Sequence, residues 1–313
     1  MEYTELGTTG LDVSVISLGA GGSSKLGQNK GKTDGEAQQL VDAAFTHGIN
    51  LIDTAEIYGT ETIVGNAIED KTREEIAIST KFSLYHDGEL RSPTDMEESI
   101  NNSLERLNTE YIDIYHLHAV APRDYEYAAE ELYPQMERLK EEGKIRFIGI
   151  TETVSSDPEH DMLARAVDDG MWDVVMVGFN LLNHSARERV LEPAAKKGIG
   201  TIGMVAVRRA LADPNELEEV ITELIEKGNL DPTEINPSDP FGFLIHDDGA
   251  EDLIDACYRF CRHEPAIDTV LTGTSSQNHL LANIESVLKD SLPKEDMRLL
   301  DKRFGHIDSV IGN

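Results

Sequence analysis

Four side chains in the N-terminal half have types and spacings that could perform acid–base chemistry at an oxygen: Asp53, Tyr58, Lys81 and His118. Asp53 ends the apolar approach Asn50-Leu51-Ile52, where burial would favour another aliphatic residue, and Tyr58-Gly59 follows it in "DTAEIYG". Lys81 ends "EIAISTK" and His118 ends "YIDIYHLH". A phenol, with a pKa of about 10, is a poor acid and a poor base near neutrality. A neighbouring ammonium favours the phenolate and is expected to lower that value. A carboxylate would hold the lysine charged and oriented, and a histidine would place a carbonyl oxygen. Such a set adds or removes a proton at a carbonyl or alcohol. It holds no hydride or electron source, so a cofactor has to supply one. Taken singly, Asp53 reads as a helix cap, Lys81 as a snorkelling surface residue and His118 as a core histidine. The chemical reading rests on their joint placement at strand ends.

The elements that must position them alternate. Strand-like runs fall at 14–19, 49–54, 75–80, 112–118, 145–151, 172–178, 199–205 and 268–273. Amphipathic helical patterns fall between them, at 34–47, 60–70, 94–107, 126–142, 158–169, 186–197, 215–227 and 251–263, with another at 276–289. Strand–helix alternation implies βαβ units and a parallel sheet. Eight repeats in 313 residues predict an α/β fold of the closed (β/α)8 TIM barrel type, whose working residues sit at the C-terminal strand ends. The opening "YTELGTTGLDVSVI" reads as a β-hairpin plugging the barrel's bottom. No linker appears, so 1–313 is expected to be one domain. The turn-rich stretch 228–249 holds three prolines; it reads either as a site-building loop after the seventh strand or as a mobile surface insertion.

Net charge is −31, from 59 acidic and 28 basic residues. Phosphate backbones need clustered cations, so nucleic-acid binding is excluded. The acids are spread through helices and loops, and 39% hydrophobic residues in periodic runs oppose disorder. The expectation is a salt-adapted, halophilic protein, soluble and cytoplasmic, with no signal peptide or membrane span. Cys257 and Cys261 would share a helix face as buried thiols, and His263 does not complete a zinc set. No metal site is expected.

The sequence resembles the aldo-keto reductase family over essentially its whole length. "YTELGTTGLDVSVISLGAGG", "DTAEIYG", "STKF", "SLERLNTEYIDIYHLH" and "LTGTSSQNHLLAN" are similar, in order, to the family's motifs. The resemblance implies NADP (NAD as the alternative) bound across the top and reversible reduction of a small-molecule carbonyl to its alcohol. It makes Tyr58 the proton donor, Lys81 and Asp53 its tuning pair, and His118, five after Asp113, the substrate-orienting residue. His116 has the same strand parity, so periodicity alone leaves both histidines open. Oligomeric state is not readable.

The same resemblance implies a cofactor set: Gly21, Thr151, Glu152, Met176, Met204, Arg208, Gly273, Thr274, Ser275, His279 and Asn283. Several of these depart from the family pattern. Thr151-Glu152 replaces a Ser-Asn-type carboxamide pair, and Met176 a glutamine, for which Asn180 is expected to compensate. Met204 stands where an aromatic often stacks on the nicotinamide. Arg208 and Arg209 are candidate anion contacts. His279 replaces the arginine that grips the 2′-phosphate, and Ala282-Asn283 keeps half of an adenine-binding Glu-Asn pair. Two other functions compete: a Schiff-base aldolase using Lys81, and a cofactor-binding regulatory protein without turnover.

Overall fold

β-Branched residues dominate the short apolar runs, and a pleated buried surface suits them. The structure, a computed structural model, describes all residues except Ser23 and Asn313. β1 (Tyr3–Glu5) and β2 (Asp12–Ser14) form an antiparallel hairpin. β3 (Ile16–Gly19), β4 (Leu51–Asp53) and β5 (Ala77–Ser83) follow. A second hairpin, β6 (Tyr85–His86) and β7 (Glu89–Leu90), interrupts the alternation. β8 (Ile112–Val120), β9 (Ile145–Glu152), β10 (Val174–Gly178), β11 (Gly200–Met204) and β12 (Thr269–Thr272) complete the set. Eight parallel strands close in the order β3-β4-β5-β8-β9-β10-β11-β12, with β12 back against β3.

The helices are α1 (Asp34–Thr46), α2 (Glu61–Ile68), α3 (Pro93–Leu107), α4 (Tyr125–Tyr127), α5 (Tyr133–Glu141) and α6 (Asp161–Asp169). After them come α7 (Glu192–Lys197), α8 (Arg209–Ala212), α9 (Pro214–Glu226), α10 (Leu253–Arg262), α11 (Gln277–Leu288) and α12 (Lys294–Phe304). Reciprocal capping boxes start α1 (Thr33 with Glu36) and α3 (Ser92 with Asp95), each cap contributing about 1 kcal/mol. No helix among the described residues is long and apolar enough to cross a membrane.

Side-chain alternation divides the barrel into an interior and an outer core. Leu51, Ala77, Ile114, Val174, Met176 and Ile202 fill the interior, joined by Leu6, Leu11 and Val13 from the N-terminal hairpin. The hairpin turn is fixed at the N-terminal strand ends, where Gly7 N donates to Asp268 and Thr8 N to the Gly198 carbonyl. Gly7 has φ of 55°, and a Cβ there would lie 2.3 Å from Gly200 N. The plug is thus built on a position that no other residue fits.

Residues 228–249 lie in the long connection between the seventh and eighth barrel strands and are packed down rather than loose. They follow α9, and Leu230, Ile235, Phe241 and Leu244 are buried. Phe241 packs on Phe304 of α12, ring centroids 4.6 Å apart, and Lys302 pairs with Glu234 at 2.9 Å. The anchors follow no helical or strand period, and α12 itself lies beyond the last expected element, so the sequence pattern hid both. Cys257 and Cys261 are buried thiols.

Candidate active site

Strand parity aims the chemical residues inward. Asp53 shares its face with Leu51, Lys81 with Ala77, and His118 with Ile114. The register sets Asp53 beside Ser79, Lys81 beside His116, and Ser83 beside His118. Tyr58 ends the turn Glu56–Tyr58. That turn is anchored through Glu56, which accepts from Ser83 N at 2.8 Å, pairs with Arg91, and accepts from Ser99 Oγ at 2.5 Å.

Lys81 Nζ donates to Asp53 Oδ1 at 2.5 Å, Asp53 Oδ2 at 2.6 Å and the Thr54 carbonyl at 2.7 Å. Its three protons are used. Ser79 Oγ donates to the same carboxylate at 2.7 Å. Nζ stands 5.3 Å from the centroid of the Tyr58 ring. The Tyr58 hydroxyl is 3.1 Å from His118 Nε2, and Ser83 Oγ is 3.4 Å from His118 Nδ1. Gly21 makes room for the phenol: a Cβ there would lie 2.2 Å from Tyr58 Cε2. His116 lies deeper in the barrel, fully buried, and neither ring nitrogen has a hydrogen-bond partner among the described residues. Geometry therefore separates the two histidines that parity could not.

Electrostatics correct one expectation. Burial, reinforced by the Asp53 charge, pushes the Tyr58 phenol well above its ordinary value; the ammonium does not lower it. Lys81 is bound to Asp53, whose charge acts on the phenol in the opposite direction. Tyr58 is a neutral phenol near pH 7, able to give a proton as charge develops on an oxygen but not to act as a resident base. Burial pushes His118 down to about 3, helped by the Lys81 charge. Its imidazole is neutral, with one nitrogen donating and one accepting. Burial lowers Lys81 itself, with Asp53 opposing.

The rim residues divide into two groups. Towards β9–β11 most polar atoms are already engaged. Thr151 Oγ1 accepts from Ala119 N at 2.7 Å. Glu152, buried, accepts from His160 Nδ1 at 2.9 Å and Gly178 N at 2.7 Å, and burial raises its carboxyl above the usual range. Met176 lies in the barrel interior and Met204 is half-buried at the end of β11. Asn180 does not fill in for the missing glutamine. Its amide donates to the carbonyls of Val205 and Ile311, and its oxygen accepts from Leu182 N and Asn183 N. The loop after β11, the C-terminal tail and its own turn share its side chain. Arg208 is half-buried, and Arg209 pairs with Glu216 at 2.6 Å.

Towards β12 the rim is more open. A Cβ on Gly273 would meet only the Gly19 carbonyl, at 3.9 Å. Thr274 is buried, Ser275 half-buried and His279 exposed in the first turn of α11. Asn283 Nδ2 donates to Thr272 Oγ1 at 2.8 Å and Tyr258 OH at 3.1 Å, which leaves its carbonyl oxygen for any adenine. Sequence reasoning passed over Ser79, Ser83, Glu56, His160 and Lys32, whose Nζ donates to the Ser275 carbonyl at 2.5 Å. Of these, the spacing of Ser79 and Ser83 about Lys81 was the readable signal.

A closed parallel barrel carries an uncharged phenol, a buried ion pair and a neutral imidazole at its C-terminal rim, an arrangement able to handle a proton at an oxygen. The chain belongs to the aldo/keto reductase family, whose family model matches residues 17–303. It is 30% identical over 319 residues to the aldo-keto reductase YhdN of Bacillus subtilis (strain 168), covering 95% of this chain and 92% of that one. It is 34% identical over 209 residues to an L-galactose dehydrogenase of Arabidopsis thaliana, covering 64% of each. Among solved structures it superposes on the holo form of aldo-keto reductase AKR11C1 from Bacillus halodurans, with a TM-score of 0.75, 24% identity and 96% of both chains covered. The family makes the protein an oxidoreductase acting on small-molecule carbonyls with a nicotinamide cofactor.

The residues present fit such a cofactor at one end. The proton-transfer set lacks a reductant, and the β12 side offers hydroxyls and an ammonium beside open backbone. Where the resemblance implies the carboxamide, Glu152, Met176 and Asn180 are turned to internal tasks.

Proposed function

We propose that the protein is an NADPH-dependent reductase of a small aldehyde or ketone, sugars included, with Tyr58 as proton donor. The observation that carries this reading is the Tyr58 hydroxyl 3.1 Å from a neutral His118 Nε2, beside a lysine with no free proton. A carbonyl oxygen placed against both groups would be polarised by the imidazole and would take the phenolic proton. The bound nicotinamide supplies the hydride. Asp53 keeps Lys81 fixed, and Ser83 orients the His118 ring.

Thr151, Met204 and Arg208 belong to the cofactor's path in this reading, as do Gly273, Thr274, Ser275, His279 and the oxygen of Asn283. NADPH is preferred to NADH. The substrate enters past the exposed Ile57 and the β6–β7 hairpin, where Tyr85 and Leu90 stand out into solvent. A salt-rich cytoplasm is the setting this reading gives the protein, and the charge of −31 supports the salt-rich part. The Schiff-base alternative loses ground, since Lys81 is buried with all three protons bonded. The test is NADPH oxidation in molar KCl against a panel of aldoses, aliphatic aldehydes and aromatic aldehydes. Turnover of at least one supports the reading; tight NADPH binding with no turnover on any would favour a regulatory protein of the same fold.

A further inference from the structure

The acidic charge is not uniform along the chain. In a chain of net charge −31, residues 19–33, "GAGGSSKLGQNKGKT", hold three lysines and no acid. The structure puts one of these cations to use across the barrel's closure. Lys32 Nζ reaches the Ser275 carbonyl at 2.5 Å, joining the loop after β3 to the loop after β12. Its stem is seated: a Cβ on Gly27 would lie 2.5 Å from Lys32 Cδ, and Lys32 N donates to the Gly27 carbonyl at 3.1 Å. A carbonyl takes one of three ammonium protons. Lys32 takes part in no ion pair among the described residues, although Glu36 lies close enough to feel its charge. A pre-positioned ammonium with unused donors therefore faces the turn 273–279, which itself carries hydroxyls and a histidine but no permanent charge.

We infer that Lys32 is the specificity residue for the 2′-phosphate of the dinucleotide, supplying from the opposite loop the cation that His279 does not permanently provide. The inference rests on the reductase reading above, in which the turn after β12 holds the adenosine end. A compact ammonium suits this role, since it can keep the Ser275 carbonyl on one proton and give the others to phosphate oxygens. The contact also ties the loop after β3 down once the nucleotide is in place.

Calorimetric titration of NADPH and NADH into wild type, Lys32→Gln, Lys32→Arg and Lys32→Gln/His279→Arg, at one fixed KCl concentration, tests it without turnover. Lys32→Gln should weaken NADPH roughly tenfold, as expected for one charge-assisted contact, and NADH by less than about twofold. Lys32→Arg should retain most of the affinity, and His279→Arg should restore NADPH binding in the Lys32→Gln background. Melting curves of each variant confirm the fold. Unchanged NADPH affinity in a folded Lys32→Gln protein overturns the inference. Equal losses for both nucleotides overturn it too, since they would place Lys32 at the shared pyrophosphate. A wild type that binds neither nucleotide overturns the reductase reading itself, and this inference with it.

Discussion

His118 Nε2 stands 3.1 Å from the Tyr58 hydroxyl, with the two rings edge to face at 84°. Both groups are held in their neutral forms by burial, one pushed up and the other down. A hydrogen bond between two neutral partners places no charge in a dry site, where separating charge is costly, so the proton stays on the phenol until charge develops elsewhere. The pair is poised to respond to charge that develops on a substrate oxygen.

The depressed His118 value has a thermodynamic signature. The unfolded histidine takes up its proton near its ordinary 6.5, whereas the folded one does so only at about 3. Its contribution to stability is present above pH 6.5 and is lost as pH falls through that window towards 3. His116 is shifted in the same direction and the carboxylates titrate as well, so the wild-type curve alone is ambiguous. The stability difference between wild type and His118→Gln isolates the term. It should shrink steadily between pH 6.5 and 4, measured by urea unfolding; a difference independent of pH would contradict a buried neutral His118.

Asp53 and Lys81 are 2% and 1% exposed, and removing one partner strands the other's charge. Asp53→Asn is expected to destabilise the fold by about 3–5 kcal/mol and to abolish turnover. A loss below about 1 kcal/mol in urea unfolding would mean that the pair is more solvated than its geometry shows.

Gly21 leaves room for the phenol and for no Cβ. Gly21→Ala should push the Tyr58 ring aside and cut kcat by about 10²-fold, the effect of a misplacement near 1 Å, with little change in melting temperature. Equal kcat values for the two proteins would show that the ring is not confined by this contact.

At −31, self-repulsion should be relieved as the Debye length falls to about 3 Å near 1 M salt. The melting temperature should rise by several degrees between about 0.1 M and about 2 M KCl. A flat or falling trend would remove the salt-adapted reading.

The barrel was legible because its signal is repeated. Eight apolar runs and their intervening helices keep one period each, and Asp53, Lys81 and His118 stand out as polar residues at the ends of such runs. What lies outside the period was not legible. The β6–β7 hairpin and the anchors at Leu230, Ile235 and Phe241 have no repeat to reveal them, and α12 falls beyond the last one. The sign of the Tyr58 shift depends on how deeply the phenol is buried and how close Asp53 stands, matters of ångströms that spacing does not encode. Asn180 looked available as a polar residue near the right strand end; only three-dimensional contact shows that Val205, after β11, and Ile311, in the C-terminal tail, take its amide. Lys32 was hidden for the same reason, lying 243 residues from its partner Ser275.

The most direct measurement is steady-state turnover and NADPH affinity of Tyr58→Phe. In the proposed function the hydroxyl gives the proton and is not a cofactor anchor. kcat should therefore fall by about 10²–10⁴, while the NADPH dissociation constant stays within about twofold of wild type. A Tyr58→Phe protein that keeps more than about half of the wild-type kcat on every active substrate would contradict Tyr58 as the proton donor.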